Sequence, residues 1–99
     1  MNNVHGGKLT SIKYAQLRKK NTQLFSPQNE ENEEMLMCIE GEGELQSGET
    51  KLSVSINDYI LIPRNRGYVL TNKGTTPFKL IIARIASGKS TMLTLLTRQ

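Results

Sequence analysis

The chain has 99 residues, of which 36% are hydrophobic, 22% charged and 5% aromatic, with no tryptophan, one cysteine and a net charge of +4. This length excludes a dinucleotide fold, a large barrel enzyme or two domains with separate cores, and the composition is not that of a disordered chain. One domain over residues 1–99, built on an aliphatic core, is the expectation.

In chain order, residues 8–17 place Leu9, Ile12, Tyr14 and Leu17 in a strand whose uneven spacing suggests a bulge. Residues 21–25 suggest a second strand, closed by a turn at Ser26 and Pro27. Residues 35–39 are continuously apolar, as expected of a strand buried on both sides. That run leaves open whether Met35, Met37 and Ile39 or their alternates face inward. Gly41 and Gly43 break it, and Ser47 with Gly48 forms a hairpin turn. Leu52, Val54 and Ile56 alternate with polar residues, the pattern of a half-buried strand. Asn57 and Asp58 turn the chain into the apolar strand 59–62, which Pro63 stops because it cannot donate to a ladder. Residues 68–71 and 78–85 are two further strands, separated by a turn at Asn72 and Gly74. Seven or eight strands at this rhythm predict an all-β fold, a small antiparallel β-barrel or jelly roll. Residues 88–99 read as one short C-terminal helix, with Met92, Leu93, Leu95 and Leu96 on one stripe; three threonines keep a last strand as the alternative.

No apolar run approaches the ~20 residues of a membrane span, and residues 1–10 contain no apolar stretch of a secretory signal. Cys38 alone cannot form an internal disulfide and reads as a small core residue. A cytoplasmic protein with no membrane partner is expected. Charge is segregated: residues 1–24 carry five bases and no acid, residues 25–50 eight glutamates and no base, and residues 51–99 eight bases and one acid. The cluster Arg18, Lys19 and Lys20 lacks the aromatic neighbours of an RNA-binding strand. Direct nucleic-acid binding is therefore not expected, and acidic and basic strands are expected to neighbour each other.

Two stretches together resemble the cupin superfamily. Glu34 and Gly41 stand at the spacing of the glutamate and glycine in its first motif. Pro63, Tyr68 and Asn72 keep the intervals of the second, in which Asn57 and Asn65 replace two glycines. Asparagine is the non-glycine residue most tolerant of positive φ, which gives that replacement a physical basis. The resemblance spans about residues 28–85 and implies a ligand-holding barrel. Within the superfamily, Leu36, Cys38, Gly41 and Gly43, and later Asp58 to Pro63, are most similar to the ligand-sensing, dimerising domain of AraC-type transcription regulators.

A metal-binding cupin uses two histidines, a glutamate and a third histidine, since imidazole suits transition metals. Here the first two histidine positions fall on Gln28 and Glu30, or one residue earlier with the alternative spacing, the glutamate is Glu34 and the third histidine is Tyr68, and the one histidine, His5, lies outside the motif. No metal and no cofactor are expected, although an oxygen set of Glu30, Glu34 and Tyr68 is chemically conceivable. The candidate ligand-binding residues are Tyr68, Glu34, Arg66 and Arg64. Tyr68 stands where a residue would point at the barrel centre, and the two arginines flank the mouth by sequence. A phosphate-loop-like run from Ala83 to Gly88, Lys89 and Ser90 lacks the alternating strand–helix units of a nucleotide fold. The expected function is a small-molecule-binding or sensory domain, either the sensing and dimerisation module of a transcription regulator or free-standing, and a homodimer. The alternative is a small cupin enzyme of isomerase or dioxygenase type with an atypical site.

Overall fold

The computed structural model describes residues 8–27, 32–86 and 94–97. The strands are β1 (Lys8–Leu17), β2 (Gln23–Ser26), β3 (Glu33–Glu40), β4 (Gly43–Ser47), β5 (Thr50–Val54), β6 (Asp58–Ile62), β7 (Tyr68–Asn72), β8 (Phe78–Ala86) and β9 (Thr94–Thr97). They form a five-stranded sheet, β1-β8-β3-β6-β9, and a four-stranded sheet, β2-β7-β4-β5, with every pairing antiparallel. The fold is all-β, as the strand rhythm predicted, but the two sheets stay open and do not close into a barrel.

The expected C-terminal helix is corrected by β9. Residues 94–97 lie antiparallel along β6, with Tyr59 opposite Leu96 and Leu61 opposite Thr94. Without β9, β6 would present a row of unpaired backbone groups, and threonine-rich sequence suits a strand better than a helix. Among the described residues there is no helix, and so none long and apolar enough to cross a membrane. His5, Gln28, Glu30, Gly88, Lys89, Ser90, Met92 and Leu93 lie outside the described residues.

Side-chain alternation makes the core. Leu45 on β4, Leu70 on β7, Ile60 and Ile62 on β6, and Phe78, Leu80 and Ile82 on β8 are buried between the sheets. Each such side chain contributes ~1.5–3 kcal/mol relative to exposure. On β3 the alternates face inward: Leu36 and Cys38 are buried, Met35 and Met37 are half-buried, and Ile39 is exposed. Val54 is buried as expected, whereas Ile56, beyond the end of β5, is exposed. The bulge in β1 is present as a register shift between Leu9 and Ser11.

The turns follow the asparagine argument. Asn57 and Asn65 have φ of 76° and 65°, and Gly41 has φ of 81°. At Gly43 the constraint is space: a β-carbon there would collide with the Phe78 ring and the Thr71 carbonyl oxygen. The segregated charges also resolve in the fold. Acidic β3 lies beside basic β8, with Glu40 3.1 Å from Lys79 on the surface and Glu34 2.8 Å from Arg84 within.

Candidate functional site

Glu34 shares the inward phase of Leu36 and Cys38, so β3 carries its carboxylate into the sandwich. In the register of the five-stranded sheet it stands opposite Arg84 on one side and Ile62 on the other. Arg84 in turn continues the inward phase of Phe78, Leu80 and Ile82. Tyr68 begins β7 on the facing sheet, in phase with buried Leu70.

The three side chains meet between the sheets. Tyr68 Oη donates to Glu34 Oε1 at 2.5 Å, and Arg84 Nε donates to Glu34 Oε2 at 2.8 Å. Tyr68 and Glu34 are buried, and among the described residues Nε–Glu34 is the hydrogen bond of the Arg84 side chain. Both carboxylate oxygens thus receive a charge-assisted bond, the strong class of protein hydrogen bond. Burial pushes the Tyr68 phenol far above its ordinary range, and the neighbouring Glu34 carboxylate pushes it further in the same direction. Tyr68 is therefore a proton-holding donor at neutral pH.

A divalent cation does not fit these residues. Each Glu34 oxygen is already taken, one of them by a guanidinium that would repel a second cation at contact distance. Tyr68 keeps the proton it would have to lose to ligate strongly. Among the described residues, no three His, Cys, Asp or Glu side chains are grouped to share an ion.

The two loop arginines are elsewhere. Arg66 is bound to the β4–β5 turn, its Nε donating to Ser47 Oγ and its Nη2 to the Ser47 carbonyl, both at 3.3 Å. Ser47 Oγ itself donates to the Gly67 carbonyl at 2.7 Å, so Arg66 fastens the β6–β7 loop to that turn. Arg64 is exposed. The sequence therefore brings Tyr68 and Glu34 together, while Arg66 ties down the turn. Arg84 escaped sequence reasoning. The available signal was its phase, a charged residue at the inward position of an otherwise apolar alternation.

Beside this cluster, at the end of β2 and β7, lies an open cleft of about 470 Å³. Phe25, Pro27 and Val69 give it apolar walls and Ser26 and Gln46 polar ones, while Tyr68, whose hydroxyl is turned between the sheets onto Glu34, borders it. Phe25 is 69% exposed, a large aromatic side chain presented to solvent at the cleft. Cys38 has no such opening: it is buried in the core, burial pushes its thiol pKa up, and its Sγ lies 3.5 Å from the Glu40 carbonyl.

Residues 19–84 match the family described as "Cupin domain". No curated protein matches the sequence. Among solved structures, a cupin protein from Bacteroides fragilis is 15% identical, with a TM-score of 0.71 over 84% of this chain and 70% of that one. A predicted oxalate decarboxylase from Thermotoga maritima is 14% identical, with a TM-score of 0.70 over 80% of this chain and 68% of that one. ToxT from Vibrio cholerae, solved with a bound unsaturated fatty acid, is 13% identical, with a TM-score of 0.65 over 86% of this chain and 31% of that one.

Proposed function

The chain belongs to the cupin family, and from that premise we propose that it is a metal-independent binding module for a small organic molecule held in the cleft beside Tyr68. The observation that carries this reading is the Arg84 guanidinium on Glu34. In a metal-binding cupin the glutamate at this motif position faces a cation. Here an arginine of the chain itself supplies the positive charge.

The same cluster is poorly suited to acid–base catalysis. A general acid or base works best with a pKa near the operating pH. Tyr68 holds its proton too tightly, and both Glu34 oxygens already accept hydrogen bonds. What remains suits recognition: an apolar wall with a few fixed polar groups, the usual make-up of a small-molecule site. The fatty-acid complex of ToxT, an AraC-type neighbour, supports keeping a sensory role of that kind for this domain. A cytoplasmic setting goes with it, since buried Cys38 asks for no oxidising compartment.

Thermal denaturation with oleate, benzoate and a neutral hexose, and separately with Fe²⁺, Mn²⁺ and Zn²⁺, tests the reading. An organic ligand at a hundred times its Kd adds about 2.7 kcal/mol, roughly 13 °C in Tm for a domain of this size. The shift should disappear in Phe25→Ala, whose side chain lines the cleft outside the core. A metal that binds one per chain, raises Tm and is lost in Glu34→Gln overturns the proposal.

A further inference from the structure

One cross-strand row of the four-stranded sheet runs through the cleft. Phe25 of β2 stands opposite Val69 of β7, Val69 opposite Gln46 of β4, and Gln46 opposite Lys51 of β5. All four lie on the outer face, because their neighbours Leu24, Leu70, Leu45 and Leu52 belong to the core side. The first three line the cleft, and Lys51 ends the row, exposed and with no ion pair among the described residues.

A second cation borders the same end. Gly48, at a φ of 61°, lines the cleft, and a β-carbon there would stand 3.8 Å from Arg66 Nη2. Glycine at this position leaves the approach to the guanidinium uncovered. Ser47 fixes that guanidinium through Nε and Nη2. Two of its five N–H donors are thus bound, and the other three have no protein partner among the described residues. None of the described residues lining the cleft carries a charge. Glu49, the acid of the β4–β5 turn, is exposed and pairs with neither Arg66 nor Lys51.

We propose that the cleft takes an aromatic carboxylate, its ring against Phe25 and its acid group between Arg66 and Lys51. This deepens the reading of the cleft as a small-molecule site and rests on it. A carboxylate matches the side-by-side donors of a guanidinium, and the exposed Phe25 ring offers an offset-stacking partner. The cleft is open, so a flexible chain would lose torsional freedom there without being enclosed, whereas a fused ring has none to lose. Phe25 and Lys51 stand three strand spacings apart, ~14 Å, a length that the Lys51 side chain and a two-ring acid fill between them. The opposite end of the face carries acids: a second cleft, of about 230 Å³, is lined by Glu42 and Glu44 together with Lys73. Glu44 stands one row from Gln46, ~6.8 Å along the strand, and repels an anion towards the Arg66 end.

Amide chemical shifts of the nitrogen-15-labelled full chain, titrated at neutral pH with 2-naphthoate and with its uncharged isostere 2-naphthamide, read this directly. Both compounds should move Phe25, Gly48 and Val69. The acid should bind about tenfold tighter, as expected of a partly exposed charge-assisted contact, and added salt should weaken the acid alone. Lys51→Gln, at an exposed position, should reduce the preference to about threefold, and Arg66→Gln should abolish it. Because Arg66 also fastens the turn, the ratio of the two affinities is decisive: a turn that merely loosens weakens acid and amide alike. Phe25→Ala should weaken both and leave the ratio unchanged. An amide that binds as tightly as the acid, or a preference that survives both Arg66→Gln and Lys51→Gln, overturns the proposal and leaves the cleft reading standing. Shifts from neither compound at millimolar concentration overturn it too, and the cleft reading falls with it only where the thermal shifts above are also absent.

Discussion

Tyr68→Phe removes one hydroxyl from a buried cluster, and its cost can be worked from the geometry. The lost bond ends on a carboxylate, a class that contributes ~1.5–3 kcal/mol. Glu34 keeps its bond from Arg84, whose side chain is 37% exposed and so partly screened by water. A loss of about 2 kcal/mol at neutral pH is expected, measured by urea unfolding as a lower midpoint at unchanged slope. The effect also has a pH signature. Folding raises the Tyr68 pKa, so the native state holds its proton where the unfolded chain, with an ordinary phenol near pH 10, releases it. The contribution is fully present below pH ~10 and declines above it, at about 1.4 kcal/mol per pH unit for one proton. The advantage of wild type over Tyr68→Phe should therefore shrink above pH ~10 and vanish about 1.5 units higher. A loss below about 0.5 kcal/mol, or stability curves that stay parallel through the alkaline range, would refute the claim that this hydroxyl is locked onto Glu34.

Two further substitutions test the frame that holds the cluster. Asn72 is fully buried; its Nδ2 donates to the Leu17 carbonyl at 2.9 Å and the Thr76 carbonyl at 3.0 Å, and its Oδ1 accepts from the Gly74 amide at 2.8 Å. Asn72→Ala orphans three backbone groups and should cost about 3 kcal/mol, seen in the urea midpoint; a cost under 1 kcal/mol would mean that water replaces the side chain. Gly43→Ala drives a β-carbon into Phe78 and the Thr71 carbonyl and should destabilise by ~1–3 kcal/mol. Phe78→Leu, which removes the colliding ring, should recover part of that loss in Gly43→Ala, and strict additivity of the two changes would refute the steric account.

The local features were legible because their causes are local. Pro63 cannot sit in a ladder, Asn57 and Asn65 take positive φ, and turn residues at regular spacing mark strand ends, so strand count and turn positions came close from sequence alone. The spacing of Glu34 and Tyr68 within the two motifs likewise marked a pair that does meet. Which face of β3 turns inward was not legible. A continuously apolar run satisfies either phase, and the choice of Leu36 and Cys38 over Met35 and Met37 comes from register with β8 and β6. The same register brings Arg84 to Glu34 across 50 positions, converting what reads as a vacant metal-ligand position into an internal ion pair. Residues 94–97 had comparable local claims to helix and strand, and the open edge of β6 decided for the strand. In each of these cases the deciding energy is a contact between strands distant in sequence. Periodicity states which side chains share a face, and only assembled sheets determine what that face meets.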